Sequence, residues 1–254
     1  MSSLSTTLSD TGLIFGRYMR QTLRSKVGVI FGLLQPTLFL VFFGPLLEDI
    51  RLSDSGDSWQ VLVPGLLVQL GLFSAAFVGF GLIMEKQQGV IERMRVTPVS
   101  RLALLLGRVL RDVVQLVVQS AILVLLGYAF GLRAPVVGVL IGFLFVAVLA
   151  ISLASLSYAF AMRVETMQEF APVINSLNLP AMLLSGVLLP MALAPAWLDT
   201  ISHFVPFRYI VDAVRAAFVG EYGDGDLAVG AAVAGVFALI SLFLGTRLFR
   251  RAGA

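Results

Sequence analysis

Apolar positions in this chain fall into long runs separated by short polar stretches, and the lengths of the runs predict membrane-crossing helices. Residues 27–47 carry no charge over 21 positions, enough for about 30 Å of α-helix, the thickness of a bilayer's hydrocarbon core. Five further runs follow at 61–84, 113–132, 136–162, 170–189 and 227–248. The expected fold is therefore an all-α integral membrane protein with six transmembrane helices. No polar segment is left over for a soluble domain of ~100 residues, so a single membrane domain over 1–254 is expected. Gln35-Pro36 predicts a kink in the first span, since proline lacks the backbone donor the helix ladder needs. The second span opens near Pro64-Gly65 and is rich in small residues that let helices approach closely.

The polar stretches have patterns of their own. Residues 1–12 are Ser/Thr-rich and read as a mobile lead. From Leu13 to Lys26, Arg17, Gln21 and Arg24 recur at helical spacing while Ile14, Tyr18 and Thr22 fall elsewhere. With Arg20 added, this predicts either a basic interfacial helix in the lipid headgroups or a plain positive flank that sets topology. Residues 48–60 form a short acidic loop, and Arg133-Ala134-Pro135 a tight turn. The stretch 190–226 is too polar and too proline-punctuated to span, yet Ile210, Val214 and Phe218 lie four apart. Short outer-leaflet helices between spans five and six are expected there, with Trp197 and Tyr209 as interfacial anchors.

Composition agrees: of 254 residues 58% are hydrophobic and 13% charged, against roughly 25% charged in soluble domains, and the mean hydropathy is +0.95. With no cysteine and a single histidine, His203, disulfides, thiol catalysis and Cys/His zinc sites are excluded, and no metal site is expected. An isoelectric point near 9.6 raises the question of nucleic acid, but the basic residues are sorted by side rather than clustered for a polyanion. Fourteen Lys and Arg lie on the side of the two termini; the other side has only Arg51, Arg133, Arg208 and Arg215. The positive-inside rule then puts both termini and the loop after the second span in the cytosol, with membrane lipid and not nucleic acid as the partner of the surface. The first apolar run is long and lacks a small-residue cleavage site, so it reads as a retained span rather than a signal peptide.

The chemistry that is missing narrows the function. The chain has two lysines, Lys26 and Lys86, and neither sits in a phosphate-cradling G-x-x-x-x-G-K-[ST] loop. Dinucleotide, zincin and nucleophile-elbow motifs are absent as well, so the chain is not expected to be an enzyme. The six spans as drawn hold no ionisable side chain away from their ends, which removes support for proton- or sodium-coupled transport. Asn175 and Asn178 share a face of the fifth span. They read either as part of a substrate path or as interhelical hydrogen-bonding groups worth ~0.6 kcal/mol each, the commoner role.

The stretch Glu85–Asp112 stands apart, with nine of the chain's 33 charged residues between two spans. Gly89 can end the second span by adopting φ > 0. Beyond it Val90, Met94 and Thr97 share one face while Glu92, Arg93 and Arg95 point away, predicting an amphipathic helix of about two turns. Thr97-Pro98 closes that helix and starts another, Val99–Asp112, with Arg108 and Asp112 spaced as an ion pair. A topology signal accounts for the charge. It does not account for apolar teeth between two breakers, which suit docking into a partner's groove.

The pattern E-K-Q-Q-G-V-I-E-R-M-R-V-T-P-V-S-R followed by L-L-L-G-R-V-L-R-D resembles the cytosolic loop of ABC type 2 exporter permeases, particularly the daunorubicin-resistance permease group. Leu34-Gln35-Pro36, Leu62-Val63-Pro64-Gly65, S-G-V-L-L-P, P-A-W-L and V-P-F-R-Y-I-V-D-A-V-R agree in order and spacing, so the resemblance covers nearly the whole chain. Phe207 stands where many relatives are more polar. The resemblance implies a cytosolic coupling helix that contacts an ATP-binding subunit through Glu85, Gly89, Glu92, Arg93, Thr97 and Pro98, beside an interfacial helix carrying Arg17, Arg20 and Arg24. It further implies two ATP-binding subunits, a second permease copy or a related partner, and no cofactor on this chain, ATP and Mg being held by the ATPase. The implied cargo is an amphipathic drug or lipid, with polysaccharide or glycolipid export as an alternative. A non-transport assembly or sensory subunit remains a different class of answer.

Overall fold

In the computed structural model, which describes residues 4–47, 57–90, 101–223 and 225–251, the apolar runs are mostly helical and the described residues contain no strand. The helices are α1 (Leu4–Arg24), α2 (Lys26–Leu47), α3 (Ser58–Ala76), α4 (Gly79–Gln87), α5 (Arg101–Phe130), α6 (Val136–Ala161), α7 (Met167–Leu184), α8 (Ala196–Ser202), α9 (Pro206–Val219) and α10 (Gly225–Arg251), with a 3-10 turn at Met191–Leu193. The coupling-helix residues 91–100 lie outside the described residues.

Among the described residues, four stretches are long and apolar enough to cross a bilayer: Ser58–Gln87, Ala103–Phe130, Val136–Ala161 and Gly225–Leu248. The apolar part of α2, Gly32–Leu47, is shorter, and α7 has only 18 residues with Pro172 and Pro180 inside it. Of the six expected spans, four are therefore matched by described stretches of bilayer length. The fifth span, expected to reach 189, ends at Leu184 because Gly186 takes φ +69° and turns the chain. Large apolar side chains such as Phe42, Leu125, Leu140, Leu144, Leu183 and Leu239 are exposed around the bundle, the inside-out surface of a protein dissolved in lipid.

Three boundaries differ from the sequence reading. The first helix begins at Leu4, so most of the Ser/Thr-rich lead is helical rather than mobile. The helix expected at Val99–Asp112 and the third span merge into one 30-residue helix, α5, since no breaker separates Asp112 from Val113. The second span is broken at Phe77–Val78. There Ser157 of α6 inserts into the ladder, donating to the Ala76 carbonyl at 2.6 Å and accepting from the Gly79 N–H at 3.0 Å. A side chain that satisfies both ends of a gap in the helix lets the helix bend at little cost.

α6 is the hub, packed by α3, α4, α5, α9 and α10. Its Gly138 lies so close to α9 that a Cβ would stand 1.9 Å from the Ala217 carbonyl oxygen. At the end of the bundle away from α1, α9 buries Ile210, Val214 and Phe218 as their spacing required. Arg215 is the peg there. It donates to the Val61 carbonyl at 3.2 Å and to the Gly186 carbonyl at 2.7 Å, tying α9 to α3 and to the turn after α7. Trp197 is exposed on α8, placed as an interfacial anchor would be, while the Tyr209 hydroxyl donates to the His203 carbonyl at 3.0 Å.

Candidate functional site

The last turn of α4, just before the charged loop, is tied to three neighbouring segments at once. Helix formation ends as expected: Gln88 caps α4 and Gly89 takes φ +68°, a left-handed conformation that other residues adopt only with strain. Glu85, one turn earlier, points into the bundle. Its Oε2 accepts from Arg108 Nη2 of α5 at 2.6 Å and from the Tyr18 hydroxyl of α1 at 2.9 Å. The Arg108 guanidinium also lies over the Tyr18 ring, 4.7 Å from its centre, so the three side chains close a triangle. Next to Glu85, Lys86 Nζ donates to the Val164 carbonyl at 3.1 Å and Gln87 Nε2 to the Glu165 carbonyl at 3.1 Å, both in the connection after α6.

The triangle is dry enough to matter. The Arg108 and Glu85 side chains are 4% and 17% exposed, and an ion pair so placed is strong only while both partners stay. Burial pushes the Tyr18 phenol up to about 12, Glu85 adding to the rise and Arg108 opposing it. Tyr18 is therefore a neutral donor throughout the physiological range.

A second knot adjoins the first. Arg111 Nη1 stands 2.9 Å from Asp112 Oδ1, and the Tyr158 hydroxyl of α6 donates to Asp112 Oδ2. The expected Arg108–Asp112 pair is thus replaced: each residue finds a partner on another helix, because both are buried and in the low-dielectric interior tertiary pairs outcompete a surface i,i+4 contact. These charges also belong to a helix continuous with the third span, so that span does carry ionisable groups at its start. A cavity of about 320 Å³ lies alongside, lined by Tyr18, Glu85, Arg108, Arg111 and Tyr158 among others.

α1 reaches this site through Gly107 of α5, where a Cβ would stand 2.6 Å from Ile14 Cγ2 and 3.0 Å from the Thr11 carbonyl. The face of α1 carrying Ile14, Tyr18 and Thr22 is turned inward, and Arg17, Arg20 and Arg24 are exposed on the other. Of the predicted coupling residues, Glu85 and Gly89 come together at the end of α4. Glu92, Arg93, Thr97 and Pro98 lie outside the described residues. The predicted asparagine pair divides: Asn175 is exposed, whereas Asn178 is buried and lines a different cavity. Sequence reasoning missed Tyr18, Arg111 and Tyr158 as members of the network. Their only signal was a polar or aromatic residue at an inward register position, which does not name a partner.

A helical bundle with an apolar exterior and four stretches of bilayer length among the described residues defines a multi-pass membrane protein. Comparison with known proteins makes this specific: residues 10–219 match the ABC-2 type transporter family, and the chain belongs to it. The putative transport permease ycf38 of Cyanophora paradoxa is 29% identical over 82% of this chain and 73% of its own length. The daunorubicin resistance ABC transporter permease protein DrrB1 of Streptomyces coeruleorubidus is 26% identical over 98% of this chain and 89% of its own. The probable multidrug ABC transporter permease YbhR of Escherichia coli is 23% identical over 64% of this chain and 44% of its own length. The chain is accordingly a permease subunit of an ABC exporter and not an enzyme; ATP hydrolysis belongs to a separate ATP-binding subunit with which it works.

Proposed function

We propose that this permease exports amphipathic drugs or lipids across the cell membrane, as one domain of six spans with both termini cytosolic. Two copies, or one copy and a related partner, work with two ATP-binding subunits that carry the ATP and Mg. The observation behind this reading is the anchorage of α4. The residues immediately before the loop are bonded to α1, to α5 and to the connection after α6. A push delivered to Gly89, Glu92, Arg93, Thr97 or Pro98 by a docked ATPase would therefore move three segments together rather than flex one helix. Glu85 acts in this scheme from inside the bundle and not as a docking contact, with the basic face of α1 in the lipid headgroups.

The sorting of fourteen Lys and Arg to the side of the termini against four on the other supports the orientation. The test is co-expression of the tagged chain with the ATP-binding protein encoded beside it. Recovery of that ATPase, with ATP hydrolysis stimulated by cargo, is expected. A triple variant, Gly89→Leu with Glu92→Ala and Arg93→Ala, should insert normally and lose the stimulation. Failure to recover any ATPase, or unchanged stimulation in the variant, overturns the reading.

A further inference from the structure

A second cavity, of about 520 Å³, opens between α3, α6, α7, α9 and α10. Its volume is that of a pocket for a small organic molecule, and its walls are nearly all apolar, as in such pockets. Leu72, Leu153, Phe160, Ala181, Phe207 and Phe237 supply most of the wall. Ser157 has already spent its hydroxyl on the break between α3 and α4. In the lining of this cavity a buried polar group remains uncommitted: Asn178 is 7% exposed and its Nδ2 has no hydrogen-bond partner. A primary amide buried in this way is unfavourable unless something brings an acceptor to it.

The ends of the cavity differ. Arg163, Val173 and Leu177 are exposed at its rim, Arg163 at the end of α6 on the α1 side. Asn178 lies eleven residues into α7, about 16 Å along the helix and near the middle of a bilayer. On the far side Phe207 of α9 meets Phe237 of α10 edge-on, with ring centres 5.4 Å apart at 88°. Exposed residues thus rim the cavity toward the α1 side, and an aromatic pair lines it at the other end.

We propose that this cavity is an intake pocket within a single subunit for an amphipathic molecule with an apolar ring body and a carbonyl, ether or hydroxyl oxygen. The molecule enters from the leaflet on the α1 side, Asn178 donates to its oxygen, and the Phe207–Phe237 pair closes its route outward. A lipid acyl chain fits the walls but offers Asn178 no acceptor, which is why an oxygen-bearing ring is the assigned occupant. This rests on the reading above that the chain exports and that its α1 face is cytosolic.

The experiment is photolabelling of the full chain in phosphatidylcholine nanodiscs with a neutral, diazirine-bearing steroid ketone, the label being mapped by mass spectrometry. Label is expected on the α7 and α10 walls, displaced by excess unlabelled ketone. Asn178→Leu should cut labelling about three- to tenfold, the loss of one hydrogen bond, with unchanged thermal unfolding. Ala181→Trp, which fills the cavity, should abolish it, and Leu183→Trp on the exposed face of the same helix should not alter it. Label elsewhere, no label, or label indifferent to both cavity variants overturns the proposal. So does a diazirine-bearing fatty acid that, in wild type, displaces the steroid label as effectively as the unlabelled ketone. None of these outcomes touches recovery of the ATPase, so a failed pocket and a failed exporter assignment are told apart.

Discussion

The closest coupling between chemistry and architecture is at Glu85, one carboxylate oxygen shared by an arginine and a tyrosine from two different helices. Removing the carboxylate leaves Arg108 as a nearly fully buried, uncompensated charge, which costs about 3–5 kcal/mol. Glu85→Ala should therefore lower the thermal unfolding midpoint in detergent sharply. Glu85→Ala combined with Arg108→Met, which removes both charges, should recover most of that loss while leaving transport impaired, because the link from α4 to α5 is still gone. If the double variant is as unstable as the single one, the pair is not what holds these helices. Full transport by the double variant would mean that the link carries no motion.

Among the elements, α1 is docked by contacts that single substitutions can test. It lies along α5 over a glycine, Gly107, and is pinned by Tyr18. Gly107→Leu drives a side chain into Ile14 and the Thr11 carbonyl, so α1 should lift from α5, and a spin label on Arg20→Cys should gain mobility. The same probe tests pH. Burial pushes the docked Tyr18 phenol up to about 12, against about 10 for a free tyrosine. Docking is thus fully supported below about pH 10 and weakens from there toward 12, as the undocked phenol ionises first. Label mobility should be flat from pH 6 to 9 and rise above 10. A rise already at pH 7 would assign the pin to another group.

At the scale of the whole molecule, the count of spans is what the described helices leave open to experiment, since α7 and the apolar part of α2 are short where four other stretches have bilayer length. The chain has no cysteine, so single cysteines can be placed without removing any. Arg133→Cys and Gly223→Cys should react with a membrane-impermeant maleimide added outside intact cells, and Arg24→Cys only after permeabilisation. Labelling of Arg24→Cys from outside would invert the orientation.

Much of this was legible in the primary structure because membrane helices are specified locally. An apolar run of bilayer length favours a helix whatever its neighbours, since a helix satisfies the N–H and C=O groups in lipid within the segment itself. For the same reason the sorting of arginines by side, the turn at Gly89, the inward spacing of Ile14, Tyr18 and Thr22, and the lack of any ATP-binding loop could be read without coordinates. Partnership between helices is not local. Whether Arg108 pairs with Asp112 four residues on or with Glu85 across the bundle depends on which helix lies opposite. The break at Phe77–Val78 depends in turn on Ser157, some eighty positions away in the chain. Asn175 and Asn178 looked equivalent along the helix, and only the packing of α3, α6 and α10 left one exposed and placed the other, unpaired, in the wall of a cavity.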